Sequence, residues 1–317
     1  MDSFLQKIIK DIYDFKNIYQ NGIVIIYGPT ASGKTWISVN IANSFANTNI
    51  VSCDSRQVYK FMDIWTDKVS IDIRSKIPHH QIDIITPNQN YSASDWQSDT
   101  YDTLDNINIW DNLTLLVWGT WLYIDTIYRN YNLWNVGINL SRRTELENIE
   151  LQKPGYCWNM LNNIDPQESQ KHHPSSLRFI IRAIEIYEQV WIPKSIYMSQ
   201  KNVKYPLLMI WLLRDADIWN TLIDDRIYHM LDNWLVNEVR WLMKIYDPQL
   251  KSMQSIDYKQ VIWYINWEYN HDNMVQLLKI ANHQLAKKQR TRFRKYKYES
   301  IHNPKRDVIY KEYIVWL

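Results

Sequence analysis

Residues Met1 to Gln20 mix acids and bases with spaced apolar positions and predict a polar lead-in helix. GIVIIYG follows, an apolar run of strand length closed by Gly22 and Gly28. An unbroken apolar run between turn residues predicts a strand buried on both faces of a parallel sheet. Helical spacing resumes over Trp36 to Phe45, NIVSCDS predicts a second short strand, and NLTLLVWGT (Asn112 to Thr120) a third. From about Asn135 to Ser199 the pattern turns helical and polar, with LRFIIRAIEIYEQV its clearest amphipathic stretch. PLLMIWLL (Pro206 to Leu213) predicts a strand returning to the sheet, followed by helices through Leu285 and a basic tail. This alternation predicts an α/β fold, a doubly wound parallel sheet with a helical insertion domain and a basic helical C-terminal region. The expected division is a first part of the core at 1–134, the insertion at 135–199, and the returning strand, helices and tail at 200–317.

Composition narrows the class. With 317 residues, 46% hydrophobic and 22% charged, the chain suits a soluble globular protein with one sizeable core and an inserted domain, and excludes collagen, a disordered tail and a disulfide-stapled miniprotein. The net charge of +2 implies no partner by itself. Its distribution does: Lys287 to Lys311 carries ten Lys/Arg against Glu299 and Asp307, a local balance of +8 that leaves −6 for the remainder. That segment is where a polyanion is expected to be met. Cys53 and Cys157 make no disulfide framework and suit a reducing compartment. The start lacks a continuous apolar segment, and the longest apolar run, near Leu207 to Leu213, is too short to span a bilayer. The expectation is a cytoplasmic monomer that does not enter membranes.

The chemistry begins at GPTASGKT: Gly28, Pro29, Thr30, Ala31, Ser32, Gly33, Lys34 and Thr35 match GxxxxGK[ST] between a predicted strand and a predicted helix. In such a P-loop the glycines let successive N–H groups face an anion at a helix N-terminus, Lys34 reaches the outer phosphates, and the Thr35 hydroxyl is placed for Mg²⁺. The loop recognises diphosphate geometry, not the group attached to it. An ordinary NTPase also needs an acid at the end of a second apolar strand, and LTLLVWGT ends without one. Asp54 is the strand-terminal acid nearby, and three readings are open for it: a metal-holding acid, a cap on the next helix, or a general base facing the phosphate loop.

Together these residues resemble the tRNA dimethylallyltransferases, also called tRNA isopentenyltransferases. GPTASGKT is followed in family order by VSCDSRQVYKFMDIWTDK, IPHHQIDIITPNQNYSASDW, LLVWGTWLYI, LRFIIRAIEIYE, DDRIYHMLDNWLVNEV, SIDYKQVI and HQLAKKQRTRFRK, covering about residues 22 to 295. The resemblance implies transfer of a dimethylallyl group from dimethylallyl diphosphate to N6 of adenosine 37, beside the anticodon of tRNA, with release of diphosphate. The P-loop then holds the leaving group together with Mg²⁺, which explains the missing second acid, and Asp54 is the base facing the adenine amine. Catalytic roles fall to Asp54, Thr120 and Lys34. Contacts to tRNA are implied for Asp54, Ser55, Arg56, Gln57, Thr120, one of Arg142 and Arg143, Arg178 and Arg182 four apart on one helical face, and Lys287, Lys288, Gln289, Arg290 and Arg294 in the basic run. Phe293 and Tyr296 are placed to stack on RNA. The runners-up are an adenylate isopentenyltransferase acting on a free nucleotide and a P-loop kinase or NTPase.

The departures from the family pattern share one direction. Where the family has glycine this chain has Trp65, Trp118, Trp121, Trp191, Trp234 and Trp267, with Trp110, Trp211 and Trp241 as further instances. The chain holds 6 Gly and 16 Trp, with no Gly after Gly155; together they reach about the 7% that glycine alone normally takes. The expectation is that the source organism reads UGA as glycine and that the conceptual translation renders those codons as tryptophan. Trp96 is the best candidate for a genuine tryptophan. Two further departures, Asp257 and Arg292, fall in the C-terminal third, where Asp257 is expected to bring negative charge toward tRNA. The adjacent pairs His79–His80 and His172–His173 lack the i,i+4 spacing of zinc ligands, and Cys53 reads as a packed strand residue.

Overall fold

In the computed structural model, which describes residues 3–107, 109–131, 133, 136–199 and 201–315, the apolar runs become parallel strands. Among the described residues these are β1 (Ile23–Tyr27), β2 (Thr48–Cys53), β3 (His79–His80), β4 (Leu113–Trp118), β5 (Leu207–Leu213) and β6 (Val308–Ile314). They form one sheet in the order β3-β2-β4-β1-β5-β6, every pairing parallel. The unbroken apolar character of β1 follows from burial on both faces. Ile23, Ile25 and Tyr27 join one core with Val51, Cys53, Leu116 and Met209, closed by Trp96 and Leu104 of the helix Ala93–Asn106 and by Tyr123, Ile124 and Ile127 of the helix Trp121–Tyr128. Val24 and Ile26 join the opposite core with Ile50, Leu115, Leu208 and Ile210, closed by the helices Ser3–Ile18 and Lys34–Ala42. Each fully buried Ile or Leu contributes about 1.5–3 kcal/mol, so the two cores hold the sheet rigid under its loops.

A third cluster, built on Trp219, Ile223, Val239, Tyr258, Val261 and Leu278, packs the helices Ala216–Asp232, Leu235–Leu242, Tyr258–Ile265 and His271–His302 against Val58, Met62 and Trp65. The second compact unit, Arg129–Asn202, is helical, with its own core of Leu146, Cys157, Leu161, Ile180, Ile181 and Ile184. The division expected at 134/135 falls on residues outside the described set.

Four expectations change. The basic region is helical as expected through Lys297, in the second half of the 32-residue helix His271–His302, but the segment does not trail off as a tail: past Lys305 and Arg306 the chain rejoins the sheet as β6, which carries Lys311, beside β5. VIYKEYI escapes a periodicity reading because an edge strand is covered on fewer sides and tolerates Lys311 and Glu312. Phe293 and Tyr296 are buried at 0% and 3%, packed edge-on against Tyr27, so neither is available to stack on RNA. With Ala286 and Gln289 they form the inward stripe of the long helix at spacings of three and four. Asp257 presents no surface charge, being fully buried with Oδ1 accepting from Asn282 Nδ2 at 2.7 Å.

Six of the tryptophans fall into two groups by local geometry. Trp96, Trp158 and Trp219 donate Nε1–H to the carbonyls of Ser52, of Ser169 and His172, and of Thr30. Trp191, Trp234 and Trp267 instead sit just past helix ends at φ 58°, 72° and 62°, the left-handed position that glycine favours. These residues are 75%, 69% and 92% exposed, so little burial offsets the backbone cost. Trp211 is buried in β5 with its Nε1 unpartnered. The Trp118 side chain lies outside the described residues.

Candidate active site

A parallel sheet delivers all its strand C-termini to one edge, and a crevice outside that edge is where ligands bind. Here β1 ends into the phosphate loop, β2 into Asp54, β4 into Gly119 and Thr120, and β5 into Arg214. These segments line one cavity of about 780 Å³, with Lys34, Thr35, Asp54, Arg56, Asp67, Arg226 and Gln289 among its walls.

The phosphate loop is curled as the motif requires. Gly33 is at φ 82° and Ala31 at φ 59°, while a Cβ at Gly28 would meet the Leu212 carbonyl at 2.6 Å and Ser32 Oγ at 2.7 Å. The helix Lys34–Ala42 starts directly after Gly33, two residues earlier than its apolar pattern predicts. Lys34 Nζ donates to the Pro29 carbonyl at 2.7 Å. Desolvation first, and the neighbouring Arg226 charge second, lower its pKa to about 7, against the pull of Asp54 and Asp67.

Asp54 is held by close packing on one side and hydrogen bonds on the other. A Cβ built on Gly119 would lie 1.9 Å from Asp54 Oδ2, so only glycine admits the carboxylate there. Oδ1 accepts the Arg56 N–H at 2.8 Å. Thr120 Oγ1 accepts the Ser55 N–H and donates to Ser55 Oγ, both at 3.0 Å, and the Thr120 N–H returns to the Cys53 carbonyl at 3.1 Å. Gln57 accepts from Ser52 Oγ and donates to the Thr66 carbonyl, steadying the loop from behind. The Cys53 thiol is buried, and desolvation with Asp54 nearby pushes its pKa well up, which suits packing and not nucleophilic attack.

Several groups at the loop escape a sequence reading. Arg226 Nη1 donates to Thr30 Oγ1 and its Nη2 to the Trp65 carbonyl, while Trp219 holds the Thr30 carbonyl at 2.9 Å. Arg214 Nη2 faces Gly33, 3.2 Å from where a Cβ would stand. Arg226 and Trp219 reach Thr30 from 196 and 189 residues away, so no local pattern marks the contact; the only signal for Arg226 is its place in DDRIYHML. Among the described residues no group of three or more His, Cys, Asp and Glu could hold a metal ion. Thr35 lines the cavity with a hydroxyl oxygen, the donor type that a hard divalent cation takes.

The residues expected to touch tRNA separate into exposed and engaged groups. Lys287, Lys288 and Arg294 are exposed on the long helix, while Arg290 lies over the Trp219 ring at 5.3 Å and Arg292 over Trp121 at 4.7 Å. Gln289 is turned inward, accepting the Thr30 N–H at 2.9 Å and donating to the Gly119 carbonyl at 3.0 Å. In the helical unit Arg178 is exposed. Arg142 chelates Glu188, and Arg143 and Arg182 converge on Glu185. Glu185 is buried and not on a solvated face; burial opposes its charge, yet Arg143, Arg182 and the Asn139 N–H hold its carboxyl below the usual range.

The model of the IPP transferase family matches residues 57–296. The chain is 36% identical over 288 residues to the tRNA dimethylallyltransferase of Halothermothrix orenii, covering 88% of this chain and 87% of that protein. It is 35% identical over 281 residues to the one from Caldanaerobacter subterraneus subsp. tengcongensis, covering 86% and 89%. Of solved structures, the tRNA isopentenylpyrophosphate transferase of Bacillus halodurans superposes with a TM-score of 0.64 at 30% identity, over 92% of this chain and 90% of that one. A eukaryotic dimethylallyltransferase shares the fold at a TM-score of 0.76 and 24% identity, over 92% and 73%. No helix among the described residues is long and apolar enough to cross a membrane. A phosphate loop and a glycine-flanked carboxylate on one cavity are thus found in a chain that belongs to the IPP transferase family.

Proposed function

We propose that this chain transfers a dimethylallyl group from dimethylallyl diphosphate to N6 of adenosine 37 in tRNA and releases diphosphate. The observation that carries the proposal is the placement of Asp54 and the GPTASGKT loop on the walls of one cavity. The N6 lone pair forms a bond to C1 of the allyl group, the C1–O bond breaks with its electrons leaving on diphosphate, and the N6 proton passes to Asp54. An exocyclic amine is a weak nucleophile, so a carboxylate partner and close approach to the carbon are what the reaction requires. The loop N–H groups, Lys34 and Arg226 stabilise charge building on diphosphate. Thr35 is the side chain proposed to contact Mg²⁺, which when bound neutralises part of that charge. The adenosine must leave its stack to reach Asp54.

Lys287, Lys288 and Arg294 are proposed to bind the tRNA backbone, with Arg178 as a contact from the helical unit, taken as an insertion domain, and the reaction is placed in the cytoplasm. Purified protein is incubated with labelled dimethylallyl diphosphate and either unmodified tRNA or AMP. Label in tRNA, dependent on adenosine 37, is expected. Label in AMP alone, or ATP hydrolysis without prenyl transfer, would replace the proposal with a free-nucleotide transferase or an NTPase.

A further inference from the structure

Thr30 is held at all three of its polar groups: N–H by Gln289 Oε1, carbonyl by Trp219 Nε1, and hydroxyl by Arg226. The other half of the Gln289 amide, Nε2, donates to the carbonyl of Gly119, the residue against which Asp54 Oδ2 rests. The carboxamide of Gln289, a residue 7% exposed, thereby bridges the phosphate loop after β1 and the Gly119 corner after β4 against which Asp54 rests. A primary amide supplies an acceptor on one side and a donor on the other in one planar group that is uncharged at every pH. The bridge comes from the long helix whose next-door residues, Lys287 and Lys288, are exposed.

We propose that Gln289 is a positioning residue for the transfer reaction, setting the separation between the diphosphate cradle and the Asp54 carboxylate, and that it makes no contact with tRNA. Both of its polar groups are engaged by backbone and the residue is buried, which turns it away from a nucleic acid on the outer face of the helix. The long helix thus carries two surfaces: an outer cationic one for a polyanion and an inner one that keeps the two halves of the cavity in register. Misplacement of reacting groups by a fraction of an ångström is costly, because the reaction depends on a near-attack geometry.

This inference rests on the transferase reading, and the experiment keeps the two separate. Gln289→Ala and Gln289→Glu are compared with wild type in steady-state transfer to tRNA, with tRNA Kd measured by filter binding across a salt series and folding followed by thermal melting. Wild-type transfer establishes the reading itself; its absence overturns that reading and this proposal with it. Given wild-type activity, kcat is expected to fall about 10- to 100-fold, with tRNA Kd and its salt slope within twofold of wild type. Gln289→Glu keeps the acceptor for Thr30 but, when ionised, lacks the donor for Gly119. Its kcat deficit relative to wild type should therefore narrow as pH falls and the carboxyl protonates. Weakened tRNA binding with kcat intact at saturation would instead make Gln289 a tRNA contact. A lowered melting temperature with kcat, KM and Kd all unchanged would make its role structural alone. If the alanine variant does not fold, the pH-dependent deficit of Gln289→Glu decides.

Discussion

Thr120 Oγ1 is bonded twice to Ser55, accepting its N–H and donating to its hydroxyl, each at 3.0 Å. The residue after Asp54 is thus latched to the residue after Gly119, and the carboxylate is held between. Thr120→Ala is expected to lower kcat about 10- to 100-fold while costing about 1 kcal/mol of stability. Thr120→Ser keeps the hydroxyl and should retain most activity. Steady-state kinetics and thermal melting of the two variants check this.

Asp54→Asn and Gly119→Ala should fail alike, although only one removes a functional group. The amide cannot accept the N6 proton, and loss of a general base lowers rate about 10²–10⁴-fold. The methyl group of Gly119→Ala would meet Oδ2 at 1.9 Å and must displace the carboxylate. Both variants should still bind tRNA. Activity near wild type in Gly119→Ala would remove Asp54 as the base.

Asp257 gives a pH signature of stability. Burial raises its pKa to about 7, against opposing contributions from Asn282, Arg226 and Trp65. The folded state therefore binds a proton that the unfolded state releases between the ordinary carboxylate value and about pH 7, so stability falls as pH rises through that window. Asp257→Asn stays neutral and can still accept from Asn282. It should be more stable than wild type by about 1–3 kcal/mol at pH 8, with the difference vanishing toward pH 4. Melting curves across pH test the convergence.

Trp191→Gly, Trp234→Gly and Trp267→Gly should each stabilise the chain by about 1 kcal/mol, because each relieves a left-handed backbone under an exposed ring. Trp96→Gly should destabilise by about 3–5 kcal/mol, since it empties a buried, hydrogen-bonded site. Peptides of the native protein spanning residues 191, 234 and 267 are expected to carry glycine masses, and their codons to be UGA. UGG at these positions would remove the glycine reading.

How much of the site is readable from the chain depends on the range of the contacts. The phosphate loop is readable because its glycines, lysine and threonine act within eight consecutive residues, and Asp54 is readable as an acid ending an apolar strand. Gln289 lies among basic residues, and its orientation turns on helix rotation. The inward stripe Ala286, Phe293 and Tyr296 carries that rotation, but the intervening charges disguise it. Trp219 and Arg226 become partners of Thr30 only when the third core assembles. β6 is missed because its polarity is that of an edge.

The strand order works as a ruler. β4 lies between β1 and β2, so the phosphate loop and Asp54 end lanes two steps apart, about 10 Å at the usual spacing. The lane between them ends in Gly119, and the space a side chain would take there is occupied by the Asp54 carboxylate. On the proposed reaction the carboxylate therefore reaches from its own lane across the end of the middle one, so the allylic carbon passes from oxygen to nitrogen between the phosphate loop and Gly119, with its leaving group anchored on one side and its acceptor's proton drawn off on the other. Donors of different chain length would then be sorted by what closes this gap at its far end, while the gap's coarse width is set by backbone pairing and its fine adjustment falls to the Gln289 bridge.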